Sequence, residues 1–226
     1  MTIWEYLQSP HPWFDTTNYH PWQIALFTTG AVLWIIAYGI ILRAAFRQQE
    51  LIIPVAAVVC NFGNEVSGAL FFVPDMGKAL VVAYWLWMLL DMVIIYNLFR
   101  YGRKQWSSPY LRNNFPWLVG ISLVCSIALS SSFMVRYDLP MGVLDAYIVN
   151  VVMSVTFIGL LLSKGPGKHD ALLGWTKFLG TGIISVMFLT KYPDNTFLTA
   201  LYLTVAFFDV LYLFLVKRMN NSVKDA

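Results

Sequence analysis

At 226 residues, 58% hydrophobic and only 12% charged, with a mean hydropathy of +0.63, the chain is too apolar for a soluble domain and reads as an integral membrane protein. Its net charge of +3 does not imply nucleic acid, because in a membrane protein the basic residues mark cytoplasmic loops. Both cysteines, Cys60 and Cys125, fall inside apolar runs where a thiol behaves as a small hydrophobe, so neither a disulfide nor a metal site is read from them.

The N-terminal segment MTIWEYLQSPHPWFDTTNYHPW has no basic start and no apolar core of its own, which separates it from a cleaved signal peptide. Trp4, Trp13, Tyr19 and Trp22 place residues 1–20 along the membrane interface. Seven apolar windows follow, near 21–45, 51–73, 79–99, 115–134, 143–163, 171–190 and 196–216. Each approaches the ~20 residues that cross a hydrocarbon core. Turn and charge signals such as RQQE, VPDMGK and SKGPGKHD separate them, and no linker is long enough for a soluble domain. The expectation is a single all-α membrane domain, a bundle of seven transmembrane helices, with residues 217–226 as a cytoplasmic tail.

Basic residues orient the bundle. Arg43, Arg47, Arg100, Arg103, Lys104, Arg112, Lys164, Lys168, Lys217, Arg218 and Lys224 fall on one side; Lys78, Arg136 and Lys191 fall on the other. The positive-inside rule then puts the N-terminus outside and the C-terminus in the cytoplasm, in a cytoplasmic or endoplasmic reticulum membrane. Lys177, near the cytoplasmic end of the sixth span, is expected to snorkel.

Polar residues within the spans recur at helical spacing. Asn61, Glu65, Gly68 and Phe72 share a face of the second span, with Asn64 beside them, and Tyr84, Trp87 and Asp91 stack in the third. The fifth span carries Tyr147, Asn150 and Ser154, the sixth Lys177, Thr181 and Ser185, and the seventh Tyr202, Asp209 and Tyr212. Such stripes imply an enclosed, partly polar centre. Counting residues puts Glu65 roughly 12 Å, and Asp91 and Asp209 each roughly 18 Å, below the outer boundary. Three carboxyls at similar depth are placed to share one cavity, where desolvation and mutual repulsion keep at least one of them a neutral acid able to donate a proton. An acid at mid-depth is costly, which favours a functional role for Glu65 and Asp209. Asp91 reads equally as a helix-to-helix hydrogen-bonding group. Ser122, Ser126 and Ser130 read as a close-packing face, and His11, His20 and His169 lie outside the bundle.

Several chemistries lack their residues. No DDxxD or DxDD motif and no His/Cys/acid cluster with ligand spacing is present, so no metal and no cofactor are expected. SKGPGK has no strand before it and is no phosphate loop. The seventh window has no lysine for a retinal Schiff base.

The segments LWMLLDMVIIY, NVVMSVTFIGLLLSKG, GWTKFLGTGIISVMF and FFDVLYLF, in this order, resemble the seven-helix membrane terpene cyclases of meroterpenoid and indole diterpene biosynthesis, the pyripyropene and paxilline type. The likeness runs from about residue 50 to 216. It implies an enzyme that protonates the terminal epoxide, or an olefin, of a prenyl chain carried on an aromatic or similar acceptor and lets the polyene close into rings. Glu65 in GNEVSG and Asp209 in FFDVLY match the family's implicated acids, and either is open as the donor. Asp91 matches an acidic position in the third span and Asn150, in YIVNVVMS, an amide in the fifth. Asn61 and Asn64 would support the cavity, and the rings of Phe72, Tyr84, Trp87 and Tyr202 would face the cation through their negative π faces. The partners implied are a lipophilic prenylated small molecule and membrane lipid, with no nucleic acid; the oligomeric state is left open. Asn64 departs from the family pattern, which carries a bulky aromatic residue before the glutamate, and this bears on which substrate is taken. A different class, a small proton-coupled transporter, is suggested by the short likeness of LLDMVIIYNLFR to FFDVLYLFLVKR.

Overall fold

Each apolar window folds as a helix in a computed structural model that describes residues 2–167 and 170–224, without the side chains of 222–224. Lys168 and His169 lie outside the described residues. In chain order the helices are α1 (Ile3–Gln8), α2 (Pro21–Gln48), α3 (Val55–Leu70), α4 (Lys78–Tyr101), α5 (Pro109–Asn113), α6 (Phe115–Tyr137), α7 (Val143–Lys164), α8 (Asp170–Lys191) and α9 (Thr196–Lys224). A 3-10 turn, Gly102–Gln105, follows α4. Among the described residues there is no strand.

Among the described residues six helices are long and apolar enough to cross a membrane: α2, α4 with its 3-10 extension, and α6 to α9. The second window behaves differently. Only 16 of its residues are helical, giving α3 a length of roughly 24 Å against the ~30 Å of a hydrocarbon core. Pro54 explains the short start, since it stands in extended geometry at the N-cap and biases the residue before it away from helix. The carbonyls of Leu51 and Ile53 instead accept hydrogen bonds from Gln105 Nε2, and Val55 N donates back to Gln105 Oε1. At the other end, Phe71 N and Phe72 N both donate to Ser67 O and close the helix.

This short helix lies at the centre. Eleven of its sixteen residues are buried, and it packs against α4, α6 and α7. Small residues permit the approach: a Cβ added at Gly63 would come within 2.8 Å of Ser126 backbone atoms on α6, and Ser67 Oγ shares a 2.9 Å hydrogen bond with Ser131 Oγ. Ser126 thus serves as a packing residue. Around this core α2 runs along α8, where Gly30 leaves no room for a side chain against Gly180 O, and α9 packs on α7 and α8.

One end of the bundle gathers most of the basic residues, tied by an ion pair from Lys164 to Glu50 at 3.0 Å. The opposite end is covered by the N-terminal segment. Asp15 N donates to Met76 O, Lys78 Nζ to Ser9 O, and Lys191 Nζ to Asn18 O. Trp4, Trp13 and Trp22 are exposed there, whereas Tyr19 is buried and donates to Asp75 Oδ1 at 2.6 Å. His11 and His20 are exposed, His11 beside Tyr6 and His20 capping α2. α9 continues unbroken past residue 217 into the expected tail.

Candidate active site

Between α2, α3, α4, α7 and α8 lies a chamber of about 100 Å³. Its α3 wall is made by Asn61, Asn64 and Glu65, positions that a 3.6-residue repeat brings to neighbouring faces. Glu65 is buried at 8% exposure, and its Oε2 has no hydrogen-bond partner among the described residues.

One turn below Glu65, the Asn61 amide Nδ2 donates to Tyr38 Oη at 2.7 Å and to Asp91 Oδ2 at 2.8 Å. This links α2, α3 and α4 through buried polar groups. Asp91 stands behind Asn61 and not on the chamber wall, one hydrogen bond removed from the α3 face that carries Glu65. On the other side, Asn64 Nδ2 donates to Asp145 Oδ2 at 2.9 Å, and Asp145 N donates to Asp138 Oδ2 at 2.8 Å. Asp138 also accepts from Leu139 N and Leu144 N, so it caps the start of α7 and shapes the turn that brings Met141 and Gly142 to the chamber. Asp138 lies outside the helices that span. Burial pushes its carboxyl up to about 6, against the opposing pull of its three backbone hydrogen bonds.

The remaining walls combine aromatic faces with two more unpartnered polar atoms. Asn150 Nδ2 donates to Ala146 O at 3.2 Å, while Asn150 Oδ1 and Thr181 Oγ1 have no hydrogen-bond partner among the described residues. Tyr84 and Trp87 meet edge to face with centroids 5.8 Å apart, and Tyr147 meets Phe188 similarly at 6.2 Å. Of the expected ring contacts, Tyr84 and Trp87 line the chamber. Tyr202 stands behind Tyr147, 4.5 Å between centroids, and Phe72 lies near Gly142, so neither reaches the wall.

Asp209 is not brought into this chamber. Its Oδ1 and Oδ2 accept from Lys177 Nζ at 2.6 and 2.8 Å, and the same ammonium donates to Ser154 Oγ at 2.7 Å. Lys177 therefore does not snorkel; it is buried at 4% exposure because a carboxylate on α9 is within reach to neutralise it. Ser154 is one turn beyond Asn150 on α7, and Lys177 one turn before Thr181 on α8. The ion pair thus lies about 5 Å past the chamber floor and joins three helices there. Depth and the family resemblance together paired Asp209 with Glu65, whereas the fold ties Asp209 to Lys177 and brings Asp91 to Asn61, one turn from Glu65.

Two contributors escaped the sequence reading and a third was read in part. Tyr38 is a lone polar-headed ring in an apolar helix, Asp145 reads as an ordinary first-turn acid, and Lys177, though placed on the polar stripe of its helix, reads as a snorkelling cation. Their shared signal is a polar group with an unassigned partner on another helix.

An apolar bundle with an aromatic-lined chamber and a buried carboxyl defines a multi-pass membrane protein whose interior suits a lipophilic guest. Residues 12–221 match the Pyr4-like transmembrane terpene cyclases, and the chain belongs to that family. It is similar to the Pyr4-family terpene cyclase mfmH of Annulohypoxylon moriforme, 23% identical over 89% of this chain and 88% of that protein. It is also similar to terpene cyclase macJ of Penicillium terrestre, 22% identical over 78% and 69% of the two chains. Terpene cyclase ascF of Acremonium egyptiacum is 32% identical over 52% of this chain and 41% of its own length. No solved structure gives a significant match.

Proposed function

We propose that this membrane terpene cyclase protonates the terminal epoxide, or an olefin, of a prenylated aromatic or similar acceptor, with Glu65 as the donor. The observation that carries the reading is the convergence of an unpartnered carboxyl oxygen with Asn150 Oδ1 and Thr181 Oγ1 on one aromatic-walled, buried chamber. The Glu65 proton passes to the epoxide oxygen, the adjacent C–O bond breaks, and the resulting tertiary cation is attacked by the neighbouring olefin. Successive closures move the positive charge along the chain until loss of a proton leaves an isomer of the substrate. Tyr84, Trp87 and Tyr147 line the chamber and present rings to the first cation formed beside the donor. The Asn61 amide, bridging Tyr38 and Asp91, fixes the polar wall beside the donor.

Asp209 serves this site as a positioning residue in the same proposal. Through Lys177 and Ser154 it fixes the helices that carry Thr181 and Asn150. α3 with its apolar flanks acts as a seventh crossing, and the basic end of the bundle faces the cytoplasm. The proton-coupled transporter alternative rests on a short likeness between α4 and α9 and gains nothing from the family membership.

Membranes containing the protein are expected to convert a farnesylated aromatic epoxide to an isomeric cyclised product, and Glu65→Gln to lose that conversion while keeping the fold. Full cyclisation by Glu65→Gln would remove Glu65 as donor. Substrate flux in sealed vesicles without new product would favour transport instead.

A further inference from the structure

The chamber's roughly 100 Å³ is well short of the ~300–1,000 Å³ of pockets that enclose drug-sized ligands, so a prenyl chain with an aromatic head does not fit within it. A larger cleft of about 650 Å³ lies on the other side of α3. Its floor is α3 from Val55 to Cys60, and its sides are α6 and α7. α6 is held to α3 at Gly63 and Ser67 but makes scant contact with α7, which leaves the seam open toward lipid: Leu129, on its rim, is 72% exposed. The lining is mostly hydrocarbon, yet it includes Asp145, an acid that is expensive beside lipid unless it has a use.

Asp145 lines the cleft, and its partner Asn64 lines the chamber. Their 2.9 Å hydrogen bond therefore stands in the partition between the two voids. We propose that the Asn64 and Asp145 pair is a gate through which the reacting end of the prenyl chain passes from the cleft to Glu65, with the cleft holding the rest of the chain. The inference rests on the cyclase reading for the identity of the guest. When the Asn64 side chain swings aside, the backbone N–H of Asp145 still donates to Asp138, so the start of α7 stays in place while the pair opens.

The chain's two cysteines, Cys60 and Cys125, both line the cleft and serve as reporters. The full-length protein in lipid nanodiscs is photolabelled with a farnesyl benzophenone ether, and crosslinks are mapped by mass spectrometry with and without excess farnesylated phenol. Competed crosslinks are expected on the α3, α6 and α7 segments of the cleft. Alkylation with N-benzylmaleimide should abolish them and abolish turnover, excess farnesylated phenol should protect both thiols, and a Cys60→Ser/Cys125→Ser variant should be insensitive. Asp145→Phe, which fills the cleft side of the partition, should keep crosslinks on the α6 wall of the cleft and lose those on chamber residues such as Trp87. Turnover unchanged after complete alkylation, or competed crosslinks confined to other faces, would overturn the gate while leaving the cyclase reading intact. Competed cleft crosslinks without any cyclised product would overturn the cyclase reading and support the cleft as a prenyl-chain site.

Discussion

Removing one partner of the Lys177 and Asp209 pair separates a positioning role from a chemical one. Both side chains are 5% exposed and the ammonium makes three hydrogen bonds, so solvent cannot take over when the carboxylate is lost. Breaking a buried ion pair in this way costs about 3–5 kcal/mol, whereas replacing both partners with apolar groups of similar volume is close to neutral. Asp209→Asn is thus expected to lower the unfolding free energy by that amount, and Lys177→Met/Asp209→Leu to recover most of it. Denaturant-induced unfolding in mixed micelles, run as a double-mutant cycle, measures the coupling. If the double variant folds and cyclises, Asp209 acts through its partner. A single variant as stable as wild type, or a double variant whose losses simply add, would refute the energetic reasoning; a stable double variant without any cyclisation would return Asp209 to the chemistry.

Other outcomes follow from the same structure. Asn61→Leu leaves the Asp91 carboxyl and the Tyr38 hydroxyl without their shared donor, and a loss of about 1–3 kcal/mol together with a lower kcat is expected from unfolding and turnover measurements. Gly30→Val drives a side chain into Gly180 O and Ile184, so a variant that expresses and melts like wild type would contradict the close α2 and α8 crossing. Asp138 binds its proton more tightly folded than unfolded, with its carboxyl raised by burial from 3.8 to about 6. Its contribution is therefore fully present below the unfolded value and is lost as pH climbs through about 6; Asp138→Asn should flatten the stability slope across that window, read from melting curves in buffered detergent.

The helices were legible because lipid imposes length and apolarity on every crossing, and charge and turn residues interrupt the pattern where the chain turns back. The length of α3 was less so, since Pro54 and Ser67 shorten the helix while Leu51 to Ile53 and Phe71 to Val73 keep the window apolar. Within the site, Asn61, Asn64 and Glu65 were readable together because they share one helix and its period. Asp209 and Tyr202 were not, because counting along a helix gives depth but not the direction in which a residue faces, nor which helices are neighbours. Asp209 met Lys177 across α8 and α9, and Tyr202 met the back of Tyr147. Asp145 was hidden for a related reason: its position in the first turn of α7 has an ordinary explanation, and only the partner on α3 reveals another.

The central claim is tested most directly by incubating purified protein in nanodiscs with a farnesylated aromatic epoxide and resolving products by mass and retention time. Wild type is expected to yield an isomeric cyclised product, and Glu65→Gln, with an unchanged melting curve, to lose about 10²–10⁴-fold in rate, the usual worth of a positioned general acid. Undiminished cyclisation by a folded Glu65→Gln would contradict the account.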